Sequence, residues 1–262
     1  MKRPIEPASG GTPRGRLRRA LGRFGRIFLI VFLLPLGTHG LWQWQRGWPA
    51  SWNRADWSST GRLPQAGAHP EAVVHVYAAR VGNWRGIFAH HTWIVVKEAG
   101  AARYRRYDVV GWGRPVRENG WAPDARWYSN EPELLHALEG PAAAAAIARI
   151  DAAVARYPFD DYGRYAAWPG PNSNTFTQHV LAAVPELAIA LPPTAIGKDY
   201  RADGRVIGAT PSGTGVQLSL GGLAGVTLGW VEGIEVNLLG LVAGLDLRRP
   251  AIKLPGWGRI GV

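Results

Sequence analysis

Ten uncharged apolar residues, Ile27–Leu36 (IFLIVFLLPL), stand directly behind a tail rich in arginine. Within residues 1–26, Lys2, Arg3, Arg14, Arg16, Arg18, Arg19, Arg23 and Arg26 face a single acid, Glu6, so the tail holds +7 of the chain's net +11. A weaker apolar continuation, GTHGLWQW, reaches Trp44. A bilayer core is crossed by about 17–25 apolar residues, and 27–44 falls at the short end of that range. A run of ten also suits a secretory signal, but Thr38-His39-Gly40 is a poor cleavage site. The expectation is therefore a retained anchor over 27–44 behind a basic tail, 1–26. Cations stay on the cytoplasmic side, which predicts a single-pass inner-membrane protein with its remaining chain in the periplasm. Trp42, Trp44, Trp48, Trp52 and Trp57 follow at once, as a tryptophan belt at the membrane interface or as rings packed on the domain.

Beyond the tail, 22 basic and 18 acidic residues leave only +4. A nucleic-acid surface spreads its cations over a folded face, so the high isoelectric point does not argue for one, and no nucleic-acid partner is expected. The absence of cysteine removes disulfides, thiolate metal sites and a cysteine nucleophile.

Residues 45–70, rich in Pro, Gly, Ser and Arg, read as a linker to a domain over 71–262. Alternation predicts strands at Ala72–Ala78, within Gly86–Lys97 and at Arg103–Val110. Gly111–Trp127 reads as loop and Glu131–Leu138 as a short helix ended by Gly140-Pro141. Pro141 suits the first turn of a helix over Ala142–Arg156, with Ile147, Ile150 and Val154 on one face. After the aromatic stretch Tyr157–Pro171, Asn172–Val184 reads as a helix with Phe176, Val180 and Val184 in register. From about residue 203 the pattern becomes short glycine-punctuated strands, a β-meander. Glu232 and Glu235 lie on it with no partner evident in the sequence, and Lys198-Asp199 reads as a structural ion pair.

Two segments carry side chains fit for chemistry. His90-His91-Thr92-Trp93-Ile94 opens a strand, where adjacent residues point to opposite faces, so one histidine faces a given pocket. Asn172-Ser173-Asn174-Thr175-Phe176 opens a helix. Its polar oxygens suit N-capping; equally, a hydroxyl at the positive end of a helix dipole is placed where an alkoxide or oxyanion is stabilised. Such a nucleophile needs a histidine base. Asp108, on the neighbouring strand, is the first choice to orient that histidine, with Tyr104 or Tyr107 as substitutes. Nothing in the spacing demands a metal, and no cofactor is implied.

Over most of residues 72–260 the chain closely resembles the bacterial domain of unknown function 3750 family, through GIFAHHTWIVVK, YDVVGWG, WPGPNSNTF, LPPTAIGKDY, PSGTGVQLSL, EGIEVNLLG and KLPGWGRIG. A more distant resemblance is to circularly permuted papain-like proteins of the lecithin–retinol acyltransferase-like group. There a histidine opens a strand in a motif like H-W-G-I, and the nucleophile follows in a motif like N-C-E-H-F at a helix start. His91-Thr92-Trp93-Ile94 looks like the first motif. Asn172-Ser173-Asn174-Thr175-Phe176 looks like the second, with Ser173 where that group has cysteine. The resemblance implies an α+β fold, a permuted papain-like antiparallel sheet packed on helices, and hydrolysis or transfer of an amide or ester acyl group. His91 would be the base, Ser173 the nucleophile and Asp108 the orienter. Asn172, Asn174, His90 and Tyr104 are the further pocket or oxyanion candidates. A rival reading keeps the pocket but not the chemistry, as a domain that binds an envelope peptide or lipid or scaffolds a complex. A serine in place of a thiol weighs toward that rival.

Overall fold

The computed structural model describes residues 13–261; Lys2, Arg3 and Glu6 of the basic tail, with Val262, lie outside the described residues. The chain opens with α1 (Pro13–Phe28), which passes through a π-helical turn (Leu29–Leu33) into α2 (Leu34–Arg46). Pro35 explains the turn. A proline has no amide to donate and crowds the carbonyl one turn back, and a π-turn locally re-routes the bonding. Gly47, at φ +68°, ends α2. The stretch Arg14–Arg46, 33 residues, is the one helix among the described residues long and apolar enough to cross a membrane. It is not free of the domain. Phe32, His39 and Gln43 are buried, the His39 Nδ1–H donates to the Ile87 carbonyl at 2.5 Å, and the Trp257 indole donates to Thr38 Oγ1 at 3.0 Å.

The first sheet comprises β1 (Val73–Arg80), β2 (His90–Lys97), β3 (Arg105–Val109), β4 (Val116–Glu118) and β5 (Glu133–Glu139), in the order β4-β3-β2-β1-β5. All its pairings are antiparallel. Strand alternation gives it two buried faces. Val74, Val76, Ile94, Val96 and Tyr107 form one core with Ile147 and Ile150 of α3 (Pro141–Ala155) and Phe176 and Val180 of α4 (Ser173–Ala182). On the opposite face Tyr77, Trp93 and Val95 pack with Trp127, Tyr128 and Trp57.

Two expectations are corrected here. The expected helix over Glu131–Leu138 is absent; Glu133–Glu139 form an edge strand, β5. Glu, Leu and Ala favour a helix intrinsically, but the open edge of β1 offers a full ladder, with a bulge between Val76 and Tyr77 absorbing one residue. The stretch 45–70 is no free linker over its whole length. The Trp52 and Trp57 rings meet at a tilt of 38°, their centroids 3.9 Å apart, and both lie against Trp127 and Tyr128. The Asp124 carboxylate accepts from the Ser59 and Thr60 hydroxyls and from the Arg62 amide. The loop 111–127 also contributes β4.

The meander is a second, seven-stranded sheet: β6 (Ile207–Ala209), β7 (Gly215–Leu220), β8 (Ala224–Gly229), β9 (Gly233–Leu238), β10 (Leu241–Asp246), β11 (Ala251–Leu254) and β12 (Gly258–Gly261), neighbours in sequence being neighbours in space. Its inner face is polar. Glu235 is buried between the ammonium groups of Lys198 and Lys253, and Asp199 accepts from Lys198, Gln217 and Asn237. Burial pushes the Glu235 carboxyl up, but the two lysines outweigh it and hold the group below its ordinary range. Glu232 likewise has partners, the amide and hydroxyl of Ser212. The α+β class, the antiparallel sheet on helices, the glycine-rich meander and the N-terminal apolar helix are thus all present.

Candidate active site

The first residues of β2 and the first residues of α4 meet at the wall of one cavity of about 830 Å³, whose lining includes His90, His91, Asn172, Ser173 and Asn174. That volume lies in the range of small-molecule sites. The β2 pleat sends His91 to the tryptophan-rich face and His90 to the face covered by α4. His91 and Ser173 thus approach from opposite faces, and both line the cavity at the end of the sheet where β2 begins, with no hydrogen bond between them.

His91 is almost fully buried and held from two directions. Its Nε2–H donates to Asp108 Oδ1 at 2.7 Å, which leaves Nδ1 as the lone-pair nitrogen. Its ring lies flat on Trp127, with centroids 3.7 Å apart and planes 11° apart. Asp108 is reached because β3 runs antiparallel to β2 with Val95 opposite Arg106, which brings its carboxylate diagonally alongside His91. Two residues earlier on the same face, Arg106 clamps that carboxylate through Nε (2.6 Å) and Nη2 (2.8 Å), and its guanidinium lies 4.1 Å over the Trp93 ring. Burial pushes the Asp108 carboxyl up, but Arg106 and the His91 bond prevail and hold it below the usual carboxylate range. Burial also lowers the His91 imidazole, more than its bond to Asp108 raises it. The pair at neutral pH is thus a carboxylate and a neutral imidazole.

At α4 the capping is done by Asn172. Its Oδ1 accepts from the amides of Asn174 (2.9 Å) and Thr175 (3.2 Å), while Thr175 Oγ1 accepts from the Asn172 amide. The Asn172 carbonyl takes the Phe176 amide. This capping box leaves Ser173 at the first helical position with no work in the cap. Among the described residues neither its hydroxyl nor its amide has a hydrogen-bond partner.

The other candidates fall into different roles. Asn172 and Asn174 line the cavity, but their amide groups are spent on the scaffold. Asn172 Nδ2 donates to the Ala167 and Ile196 carbonyls. Asn174 Nδ2 donates to those of His90 and Ile196, and its Oδ1 accepts from Thr92. Neither amide is free to bind an oxyanion; they tie α4 to β2. His90 reaches the cavity from the α4 face. Burial, then the Arg80 charge, lowers it to about 3, and no carboxylate is bonded to it as Asp108 is to His91. Tyr104 does not line the cavity: it lies four residues before Asp108, about 13 Å along an extended chain, so its substitute role as orienter is corrected. Sequence reasoning missed Arg106 and Trp127. Arg106 was legible in principle, since Arg-x-Asp on a strand puts both groups on one face. Trp127 sits in a loop whose path no local pattern gives.

Two expected outcomes arise from this geometry. Gly197 adopts φ +93°, and a Cβ there would lie 2.3 Å from Asn172 Nδ2. Gly197→Ala should push the cap out of place and cost about 1–3 kcal/mol, read as a lowered urea midpoint. Second, His90 and His91 have folded-state pKa values below the unfolded one, so the unfolded chain binds more protons in mild acid. Stability should fall as pH drops below about 6.5, by up to about 1.4 kcal/mol per pH unit for each of the two. Urea titrations near neutral pH and at about pH 5 measure the slope, and His90→Gln should flatten it.

What fold and site define together is a two-sheet α+β domain in which a histidine–aspartate pair and a helix-terminal serine open into one cavity. The family model described as Protein of unknown function (DUF3750) matches residues 71–200, which span the first sheet, α3, α4 and the loop to Lys198. That stretch of the chain belongs to that family. No curated protein and no solved structure matches the chain.

Proposed function

We propose that this is a membrane-anchored envelope hydrolase or acyltransferase of the permuted papain-like kind, acting on an amide or ester bond. In this reading the helix holds the chain in the inner membrane with its basic end in the cytoplasm, and the domain works in the periplasm on a peptide or lipid of the envelope. One observation carries the chemistry: an unpartnered serine hydroxyl and a histidine whose second nitrogen is tied to a buried carboxylate open into the same cavity.

The steps follow from the groups present. His91 Nδ1 accepts the Ser173 proton as Oγ attacks the carbonyl carbon. The resulting imidazolium is stabilised by Asp108 through Nε2–H, and its charge lies over the Trp127 face. The oxyanion develops near the Ser173 amide and the α4 N-terminus, whose dipole favours negative charge. Collapse transfers the proton from His91 to the leaving group and leaves an acyl-serine. Water or a second acceptor, deprotonated by His91, releases the product.

The test is labelling of the full-length, detergent-solubilised protein with a fluorophosphonate probe. The expected result is one modified residue, Ser173, with labelling lost in Ser173→Ala, cut on the order of 10²–10⁴-fold in His91→Gln, and retained in His90→Gln. Folded protein that takes no label, or label that persists in Ser173→Ala, would overturn the reading in favour of a pocket that only binds.

A further inference from the structure

The outer face of the second sheet is apolar from edge to edge. Strand pairing aligns Val216, Leu228, Ile234, Leu245, Ile252 and Ile260 in one continuous row across six strands. All six side chains are exposed, Leu228 and Ile252 at 53%. On β7 to β11 every residue of outward parity is apolar or glycine. Folded soluble domains expose far smaller apolar patches, and a larger one marks a surface made for another apolar phase.

What that phase is follows from the N-terminal helix. Its π-turn, Leu29–Leu33, packs against β10, which lies inside the sheet between β9 and β11 and so is reached through a face. Ala243 identifies the face: it pairs with the exposed Val236 on the outer side, yet is itself buried. The centre of the apolar run thus lies on the outer face. The helix on the N-terminal side of this contact carries Arg14, Arg16, Arg18, Arg19, Arg23 and Arg26, each costing about 2.5–3.5 kcal/mol at a bilayer centre. That part cannot be the hydrocarbon segment; Ile27 onward is. Any medium that receives Ile27–Leu36 therefore also receives the sheet beside it.

We propose that the outer face of the second sheet is embedded in the lipid bilayer, where it forms with the helix one continuous membrane-binding surface. The proposal rests on the membrane-anchoring part of the function above. A sheet lying flat satisfies its backbone within its own plane, apart from its edge strands, so its side chains enter hydrocarbon without stranding amides there. A second copy of the sheet fits less well. Face-to-face sheets pack about 10 Å apart, and a helix about 10 Å across already stands on this face.

The chain has no cysteine, so single cysteines can report depth. Leu228→Cys, Ile234→Cys, Ile30→Cys and Tyr162→Cys variants of the full chain are spin-labelled and reconstituted in phosphatidylethanolamine–phosphatidylglycerol vesicles. Power saturation compares collisions with oxygen and with a water-soluble nickel chelate. The expected result is that labels at 228 and 234 behave like the one at 30, rich in oxygen and shielded from nickel, while 162 shows the reverse. Nickel access at 228 and 234 with 30 still in lipid would overturn the embedded face and leave the anchor standing. Labels at 228 and 234 shielded from both reagents would show a protein cover, overturning the proposal in favour of a second copy or partner. Nickel access at 30 as well would overturn the anchor itself. If cysteine at 234 disturbs folding, Ile252→Cys supplies the same readout from the other side of the row.

Discussion

Asp108→Asn should cost the domain both its stability and its reactivity. In the native protein Arg106 is completely buried, with its Nε and Nη2 committed to the Asp108 carboxylate and Nη1 to the Ala122 carbonyl. Removing the negative charge leaves a guanidinium in a low-dielectric interior without its counter-ion. Breaking a buried pair in this way costs about 3–5 kcal/mol. The same change deprives the His91 imidazolium of its stabilising charge, so the fluorophosphonate rate should fall on the order of 10²–10⁴-fold. Urea denaturation and probe kinetics separate the two effects. His91→Gln should lose labelling while keeping more of the stability, because it leaves the Arg106–Asp108 pair intact. A variant Asp108→Asn with native stability would show that Arg106 draws its support from the Trp93 face and the Ala122 carbonyl instead.

Glu235→Gln should unfold the second sheet more readily than any surface substitution. Lys198 keeps Asp199 at 3.1 Å, but Lys253 loses the one carboxylate it is hydrogen-bonded to and keeps neutral oxygens such as the Glu232 carbonyl. A buried ammonium without an anion is the costly case, again about 3–5 kcal/mol. Adding Lys253→Met to Glu235→Gln removes the stranded charge, so the double variant should be more stable than the single one, a coupling read directly from a double-mutant cycle. Glu98→Gln, on an exposed turn, is the matched control and should stay within about 0.5 kcal/mol of the parent.

The strands and helices that carry the site were readable from residue pattern alone, because each buries an unambiguous face. Trp93 and Val95 alternate with Ile94 and Val96, and Phe176, Val180 and Val184 repeat at helical spacing. Pattern failed where tertiary context outweighed it. Glu133–Glu139 has helical composition but completes a sheet edge. In β7 to β9 the alternation is perfect, yet the usual rule of apolar side inward selects the wrong face, since Gln217, Ser219, Glu235 and Asn237 are the buried ones. The partners of Glu235 lie 37 and 18 residues away in sequence, beyond any local signal. For the site, residue chemistry singled out His91, Asp108 and Ser173, but only the register of β2 on β3 brings the first two within 2.7 Å. Which of Asn172 and Ser173 would cap α4 was likewise undecided until the capping box assigned that task to Asn172.

Leu36, on the N-terminal helix, and Ser51 and Trp52, just beyond it, belong to the wall of the cavity that holds His91 and Ser173. Trimming the polypeptide behind Gly47 to make a fragment without the apolar helix would therefore do more than remove that helix. It would take Leu36 out of the cavity wall and cut the chain just ahead of Ser51 and Trp52, so an inert fragment of that kind says nothing about the intact molecule's chemistry.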